Sequence, residues 1–138
     1  MRFCVDASAV VAWLIPEQRT NEIGSFWTSL SEEDELVAPS LLYPECSSVL
    51  RVKAWQGLLQ HDEAMHLTSE MLRIPLRLSH LTEQFPRAME IAERTKRKKS
   101  YDMQYVAVAE LEGCEMVTLD RGIYQASIER KIPARLLR

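Results

Sequence analysis

The hydrophobic pattern alternates between short apolar runs and longer stretches with helical spacing. The short runs predict strands at residues 2–6, 36–38, 74–78, 115–119 and 132–137. Between them, apolar residues recur three, four and seven positions apart, which predicts helices at residues 9–15, 20–30, 43–60, 61–72, 82–96, 101–111 and 122–130. Strands that alternate with helices predict an α/β domain with a parallel sheet.

Serine, proline and glycine residues mark the ends of several of these helices and strands. Ser8, Ser40 and Ser100 each precede a helical pattern and are predicted to be N-caps. Pro39 is expected to stop the second strand, and Gly113 to end the helix at 101–111.

Composition predicts one globular domain spanning residues 1–138. The chain is 46% hydrophobic and 27% charged, which is enough apolar material for a core without disulfides or structural metals. No apolar run approaches the roughly 20 residues that a membrane span needs. Cys4, Cys46 and Cys114 form no Cys-x-x-Cys pair, and their odd number suits reduced, buried thiols. We therefore expect a cytoplasmic protein without a membrane segment.

Charge is distributed unevenly along the chain. The first 69 residues carry 4 Lys/Arg against 10 Asp/Glu, and the remaining residues carry 13 against 10. The net charge of −3 argues against a protein that coats nucleic acid. A basic patch beside an acidic cluster suits a metal-dependent enzyme that acts on a polyanion.

Four acidic residues follow a common pattern. Asp6 and Asp120 directly follow apolar strands, while Glu45 and Asp102 fall near the first turns of predicted helices. Ligands of open α/β sheets bind outside the carboxyl ends of the strands. Each residue alone has a structural explanation, because Asp favours turns and acids favour helix N-termini. Two aspartates on separate strands are harder to explain in that way.

Four convergent carboxylates require charge compensation. Like charges a few ångströms apart raise one another's pKa, and Mg²⁺ or Mn²⁺ relieves this because hard cations prefer oxygen ligands. The chain offers no Cys–His or Ser–His arrangement. Metal-assisted hydrolysis is therefore the chemistry that its residues supply best.

Four segments in order carry a resemblance to a known family. They are V-D-A-S at 5–8, A-P-S-L-L-Y-P-E at 38–45, S-Y-D-M-Q-Y-V-A-V-A-E at 100–110 and V-T-L-D-R-G at 117–122. Their order resembles the PIN-domain ribonucleases, in particular the VapC-like toxins of type II toxin–antitoxin modules. The resemblance covers essentially the whole chain and implies a three-layer α/β/α sandwich with a mainly parallel central sheet.

The resemblance also implies a site and an activity. The catalytic and metal-binding residues would be Asp6, Glu45, Asp102 and Asp120, with Ser8 and Thr118 as their hydrogen-bond support. They would bind Mg²⁺ or Mn²⁺ and hydrolyse RNA as an endoribonuclease, leaving a 5′-phosphate and a 3′-hydroxyl. A homodimer and a cognate antitoxin that lies across the site are further implications.

Two departures from the family pattern bear on the metal site. Met103 replaces the usual alanine after the third acid, on a helix face. Arg121 and Gly122 occupy the stretch where some relatives carry a further acid, which puts a second metal position in doubt.

Basic and apolar residues outside the acidic motifs have two interpretations each. Lys96, Arg97, Lys98 and Lys99, together with Arg121, either attract RNA phosphates or form a solvated connector. Four apolar residues of the first two helices could offer the antitoxin a groove, or pack in the core; they are Val11, Leu14, Phe26 and Trp27.

Two other functions remain open at the level of sequence. The chain could be a non-catalytic PIN-like domain that binds RNA or acts as a scaffold. A phosphatase or receiver domain is disfavoured because it needs a lysine after the late strand, where Arg121 follows Asp120.

Overall fold

A five-stranded parallel sheet forms the centre of the computed structural model, which describes all 138 residues. The strands are β1 (Arg2–Val5), β2 (Glu35–Pro39), β3 (Leu76–Ser79), β4 (Glu115–Thr118) and β5 (Ala134–Leu136). Their spatial order is β3-β2-β1-β4-β5, and every neighbouring pair is parallel. The prediction of a parallel α/β fold is confirmed.

Seven α-helices and one short 3₁₀ helix, Pro16–Gln18, connect these strands. The α-helices are α1 (Ala7–Leu14), α2 (Asn21–Ser29), α3 (Leu42–Trp55), α4 (His61–Arg73), α5 (Gln84–Arg94), α6 (Met103–Glu112) and α7 (Arg121–Glu129). None of these helices combines the length and the apolar character that crossing a membrane would require.

The helices form two groups, one on each face of the sheet. Helix α1 contacts α2, α3 and α4, whereas α6 contacts α5 and α7 and packs on β1, β2 and β4. Right-handed crossovers place the helices before β3 on one face and those after it on the other. The result is the three-layer α/β/α sandwich that the family resemblance implied.

The chain reverses its direction of travel across the sheet between β1 and β4. From β1 it moves outward to β2 and β3, and then returns to β4 and continues to β5 on the other side. Val5 of β1 lies beside Val117 of β4. Such a switch point opens a crevice at the carboxyl ends of the two strands, where ligands of α/β proteins bind.

The core is continuous across both faces of the sheet. It contains 37 buried apolar residues, and α6 contributes the unbroken run Tyr105–Ala109, in which every residue is at most 1% exposed. A helix buried on all sides reads as a uniformly apolar segment. The three cysteines are free and buried, as the sequence predicted.

Three predicted N-caps differ from the observed ones. Asp6, rather than Ser8, caps α1, because its side chain already reaches the Ala9 N–H from the end of β1. Helix α3 begins at Leu42 and α6 at Met103, and neither receives a side-chain cap from Ser40 or Ser100.

Two element ends also differ from the predicted positions. Helix α3 ends at Trp55 instead of near residue 60, since Gly57 adopts the left-handed conformation (φ 77°) that terminates helices. Pro39 belongs to β2 as its last residue, where it lies beside Ser79 of β3. Proline is tolerated at the end of a strand, because its missing N–H removes no hydrogen bond from the middle of the strand pairing. Gly113 ends α6 in the left-handed region, as predicted.

The apolar groove suggested for α1 and α2 is absent. All four of the side chains proposed for it are between 3% and 8% exposed, so they pack into the core rather than face a partner; they are Val11, Leu14, Phe26 and Trp27. Phe26 and Trp27 pack edge to face, and Trp27 stacks on Trp13. This prediction from the sequence was wrong because periodicity cannot distinguish a buried helix face from an open one.

Two glycines have open space where a Cβ would lie, so alanine substitutions there test the effect of backbone conformation alone. Gly113 is left-handed (φ 67°), whereas Gly24 is helical within α2. We expect Gly113→Ala to lower the free energy of unfolding by about 1–2 kcal/mol, because an L side chain is strained there. Gly24→Ala should raise it by about 0.5–1 kcal/mol. Urea unfolding measures both, and shifts of the same sign would contradict this account.

Candidate active site

Asp6 is the buried centre of the acidic cluster. It follows β1 directly and is 3% exposed. Its Oδ1 accepts the Ala9 backbone N–H at 3.2 Å, and the Ser8 hydroxyl lies 2.8 and 2.9 Å from its two oxygens. Burial raises the pKa of Asp6 to about 6, against the opposing effect of these hydrogen bonds. The site therefore contains a carboxylate that titrates close to neutral pH.

The Ser8 hydroxyl joins the ends of β1 and β4. It accepts the Leu119 backbone N–H at 2.9 Å and lies 3.4 Å from Thr118 Oγ1. Thr118 in turn accepts the Asp120 N–H at 2.9 Å. Asp6 and Asp120 are thus held in one hydrogen-bonded framework by the two hydroxyl residues that the family motifs suggested.

Asp120 occupies the same local position after β4 that Asp6 occupies after β1. Its Oδ1 accepts the Ile123 N–H at 2.9 Å and caps α7. Unlike Asp6, Asp120 is exposed. The strand–aspartate–helix arrangement occurs twice at the switch point, once buried and once at the rim.

Glu45 lies in the first turn of α3, half-buried in the cluster. Its Oε2 is buried without a hydrogen-bond partner, and the hydroxyl of Tyr105 is also unpartnered. Burial raises the pKa of Glu45 to about 7; the charges of Asp102 and Asp6 add to this rise, and the nearby Tyr105 hydroxyl opposes it. An unpaired carboxylate oxygen of this kind is available to a ligand.

Asp102 is the N-cap residue of α6, but its side chain makes no capping hydrogen bond. Partial burial of the carboxyl and the charge of Asp120 raise its pKa, while the charges of Arg97 and Lys99 oppose the rise. The carboxyl group is therefore free at the rim of the cluster.

The four predicted acids line one cleft of about 340 Å³. They are spread around its wall, and no three Asp, Glu, His or Cys side chains are close enough together to form a metal cage by themselves. Gln18 and Lys53 also line the cleft and were missed from the sequence. Lys53 lies two turns after Glu45 on the same face of α3, so its helical spacing was a usable signal.

The donor set fits a hard divalent cation. It consists of carboxylates without thiol or imidazole, and the Glu45 Oε2 atom is buried and unsatisfied. Mg²⁺ and Mn²⁺ accept such oxygens and keep several waters, which a roomy cleft accommodates. The residue types and their burial favour this class of ion over zinc or copper.

The basic segment borders this cleft rather than lining it. Residues 96–104 line a wide depression of about 1040 Å³ that contains Asp102. Lys96, Lys98 and Lys99 are exposed, as is Arg121 at the start of α7. Arg97 is half-buried and donates a hydrogen bond to the Gly122 carbonyl oxygen, so it differs from its neighbours.

Comparison with known proteins agrees with this architecture. The PIN domain family model matches residues 3–129. Ribonuclease VapC3 of Pyrobaculum aerophilum is 32% identical over 125 residues, which cover 89% of this chain and 92% of the relative.

Solved structures show the same fold at low sequence identity. The sarcin–ricin loop cleaving toxin VapC20 of Mycobacterium tuberculosis superimposes with a TM-score of 0.69 at 19% identity, covering 90% of this chain and 94% of that one. VapBC2 of Rickettsia felis, bound to a DNA fragment from its promoter, gives 0.68 at 11% identity and covers both chains fully. With the family model and the VapC3 relative, these findings show that the chain belongs to the PIN domain family, among the VapC ribonucleases.

Proposed function

We propose that this protein is a Mg²⁺- or Mn²⁺-dependent endoribonuclease and the toxin of a toxin–antitoxin pair. The observation that carries the proposal is the cleft at the switch point of the sheet, where two carboxylates with pKa values of about 6 and 7 face two more acids. The 32% identity to a VapC ribonuclease supports the activity. Hydrolysis would leave a 5′-phosphate and a 3′-hydroxyl.

Asp6, Asp102 and Asp120 would hold the cation, and Glu45 would either bind it or orient the attacking water. When bound, the ion would offset charge on the scissile phosphate and lower the pKa of that water. Ser8 restrains the Asp6 carboxylate, because its hydroxyl is itself held by the Leu119 N–H. The acid therefore needs little reorganisation to serve as a ligand.

Glu45 is the group best suited to move a proton. A pKa of about 7 leaves a useful fraction of carboxylate near neutral pH, and its conjugate acid is a competent donor. Its unpartnered Oε2 offers a place for the proton of the attacking water. Tyr105 is fully buried, and its hydroxyl opposes the rise in the pKa of Glu45.

The exposed lysines next to Asp102 would attract the RNA backbone. Lys96, Lys98, Lys99 and Arg121 lie around the rim, where their charges remain solvated and act over about a Debye length. This placement supports a role in substrate capture, whereas the half-buried Arg97 donates a hydrogen bond to the Gly122 carbonyl oxygen.

The remaining parts of the proposal concern partners and location. The structural similarity to VapBC2 supports a cognate antitoxin as partner. A homodimer is proposed from the family resemblance. Three free, buried cysteines suit the reducing cytoplasm.

Replacing Asp6 tests the site. Asp6→Asn keeps a good N-cap for α1 but removes the charge, so the fold should survive while activity falls by about 100-fold or more. Cleavage of a fluorescent RNA with Mg²⁺ or Mn²⁺, together with growth arrest on expression, measures the loss. If this variant cut RNA and arrested growth as the parent does, the site assignment would be wrong.

Asp62→Asn is the matched control, because Asp62 is exposed in the first turn of α4, away from the cleft. It should cleave RNA as the parent does. EDTA should abolish cleavage by the parent. RNA binding without cleavage under any metal would favour the non-catalytic alternative instead.

The stability of the metal-free protein should fall as pH rises from 5.5 to 8. The pKa values of Asp6 and Glu45 lie above their ordinary values, so the folded state holds more protons than the unfolded state in this range. Mg²⁺ competes with those protons, so it should raise the melting temperature more at pH 8 than at pH 5.5. Thermal unfolding in EDTA and in Mg²⁺ measures both effects; equal shifts by Mg²⁺ at the two pH values would contradict them.

Removing two rim charges should weaken RNA binding without stopping catalysis. The double variant Lys98→Ala/Lys99→Ala should raise KM, leave kcat nearly unchanged and reduce the slope of log K against log salt by about 1–2. Arg73→Ala, which removes a cation that is 78% exposed on α4, is the control and should leave the slope unchanged. An unaltered slope in the double variant would identify residues 96–99 as a solvated connector.

A further inference from the structure

Arg97 packs against Gly122 beside Asp120, unlike the other basic residues of its segment, which are exposed. Its Nη2 donates a hydrogen bond to the Gly122 carbonyl oxygen at 2.5 Å. Its Nε is buried and has no hydrogen-bond partner. A guanidinium with a buried, unpaired donor is costly unless nearby negative charge compensates it.

The turn that ends α5 sets the direction of the Arg97 side chain. The Lys96 N–H bonds to Glu93 O at 3.2 Å and the Arg97 N–H to Ala92 O at 2.8 Å, which is the Schellman pattern. Lys96 takes the left-handed position (φ 57°) that glycine usually occupies. A lysine there costs about 1–2 kcal/mol. The chain retains a strained turn at the point that sends Arg97 toward the site.

Gly122 makes room for the guanidinium. A Cβ at this position would lie 2.8 Å from Arg97 Nη1 and 3.0 Å from Asp120 Oδ1, closer than real Cβ contacts. Arg97 and Asp120 therefore flank the same small space, and a larger residue would displace one of them. Glycine favours the observed position of the guanidinium through close approach rather than through backbone freedom, since its φ is not positive.

The charge of Arg97 acts on Asp102. The pKa of Asp102 is raised by partial burial and by Asp120, and the charge of Arg97 opposes that rise. An arginine stays protonated at any pH at which the protein is folded. A permanent cation therefore lies beside Asp120 and acts on Asp102 at the rim of the cleft.

We propose that Arg97 is a positioning residue that serves as a fixed cation of the site, offsets the repulsion between Asp102 and Asp120, and limits the site to one divalent cation. The inference rests on the proposed function, because it concerns how that site binds metal. Gly122 and the turn at Lys96 hold the guanidinium in place.

Mn²⁺ binding to the EDTA-stripped full-length chain at pH 7.5, measured by calorimetry, tests the proposal. The parent should bind one equivalent. Arg97→Ala should bind a second, because the carboxylates regain an uncompensated charge. Arg97→Lys should restore the parent stoichiometry. Arg97→Gln removes the charge but keeps a side chain that can donate a hydrogen bond to the Gly122 carbonyl oxygen, so it should behave as Arg97→Ala does and provides a second route if that variant fails to fold.

Arg94→Ala is the matched control, since Arg94 is 70% exposed and pairs with Glu90 away from the cleft. It should bind one equivalent, as the parent does. If Arg97→Ala and Arg97→Gln bound Mn²⁺ with the stoichiometry and affinity of the parent, the inference would be overturned. A parent that bound no Mn²⁺ would contradict the proposed function. In that case, Mn²⁺ binding by the two neutral Arg97 variants would still support the role of Arg97. The absence of binding in these variants as well would refute that role.

Discussion

Like-charge repulsion within one cleft is the constraint around which this site is built. Asp6 and Glu45 are placed where burial disfavours their charged forms, and Asp102 and Asp120 add negative charge at the rim. Nothing local to these residues would bring them together. Strands β1 and β4, held side by side in the centre of the sheet, and the core contacts of α3 and α6 do so. The packed core supplies the free energy that holds the four acids in place despite their mutual repulsion.

Two of the acids contribute to the fold as well as to the site. Asp6 and Asp120 each accept a backbone N–H and cap the helix that follows their strand, an interaction worth about 1 kcal/mol. This dual use explains why a strand, an aspartate and a helix recur in the same order at both positions. The Ser8 hydroxyl then joins the two caps across the switch point. The positions of Asp6 and Asp120 are consequently tied to the two central strands that they follow.

The hydrophobic pattern predicted the order of strands and helices well. It did not predict which residues cap several helices or which way individual side chains point. The alternation of strands and helices follows from hydrophobic spacing, because burial of one face imposes the period. The caps were misplaced at Ser8 and Ser100, because a cap depends on which side chain reaches a free N–H in space. The basic segment was treated as uniform from the sequence, yet the left-handed Lys96 turns Arg97 inward while Lys98 and Lys99 stay in solvent.

The hydrophobic spacing by itself determined the fold class, because burial of one face constrains the period of apolar residues. The resemblance of four sequence motifs indicated the PIN family and nominated the four acids as a set. The catalytic roles of those acids stay a prediction. Only the tertiary structure decided that Asp6 is buried while Asp120 is exposed, that Lys53 and Gln18 share their cleft, and that Arg97 packs against Gly122. These relations join residues far apart in the chain, and the distances between them exist only once the sheet has been assembled.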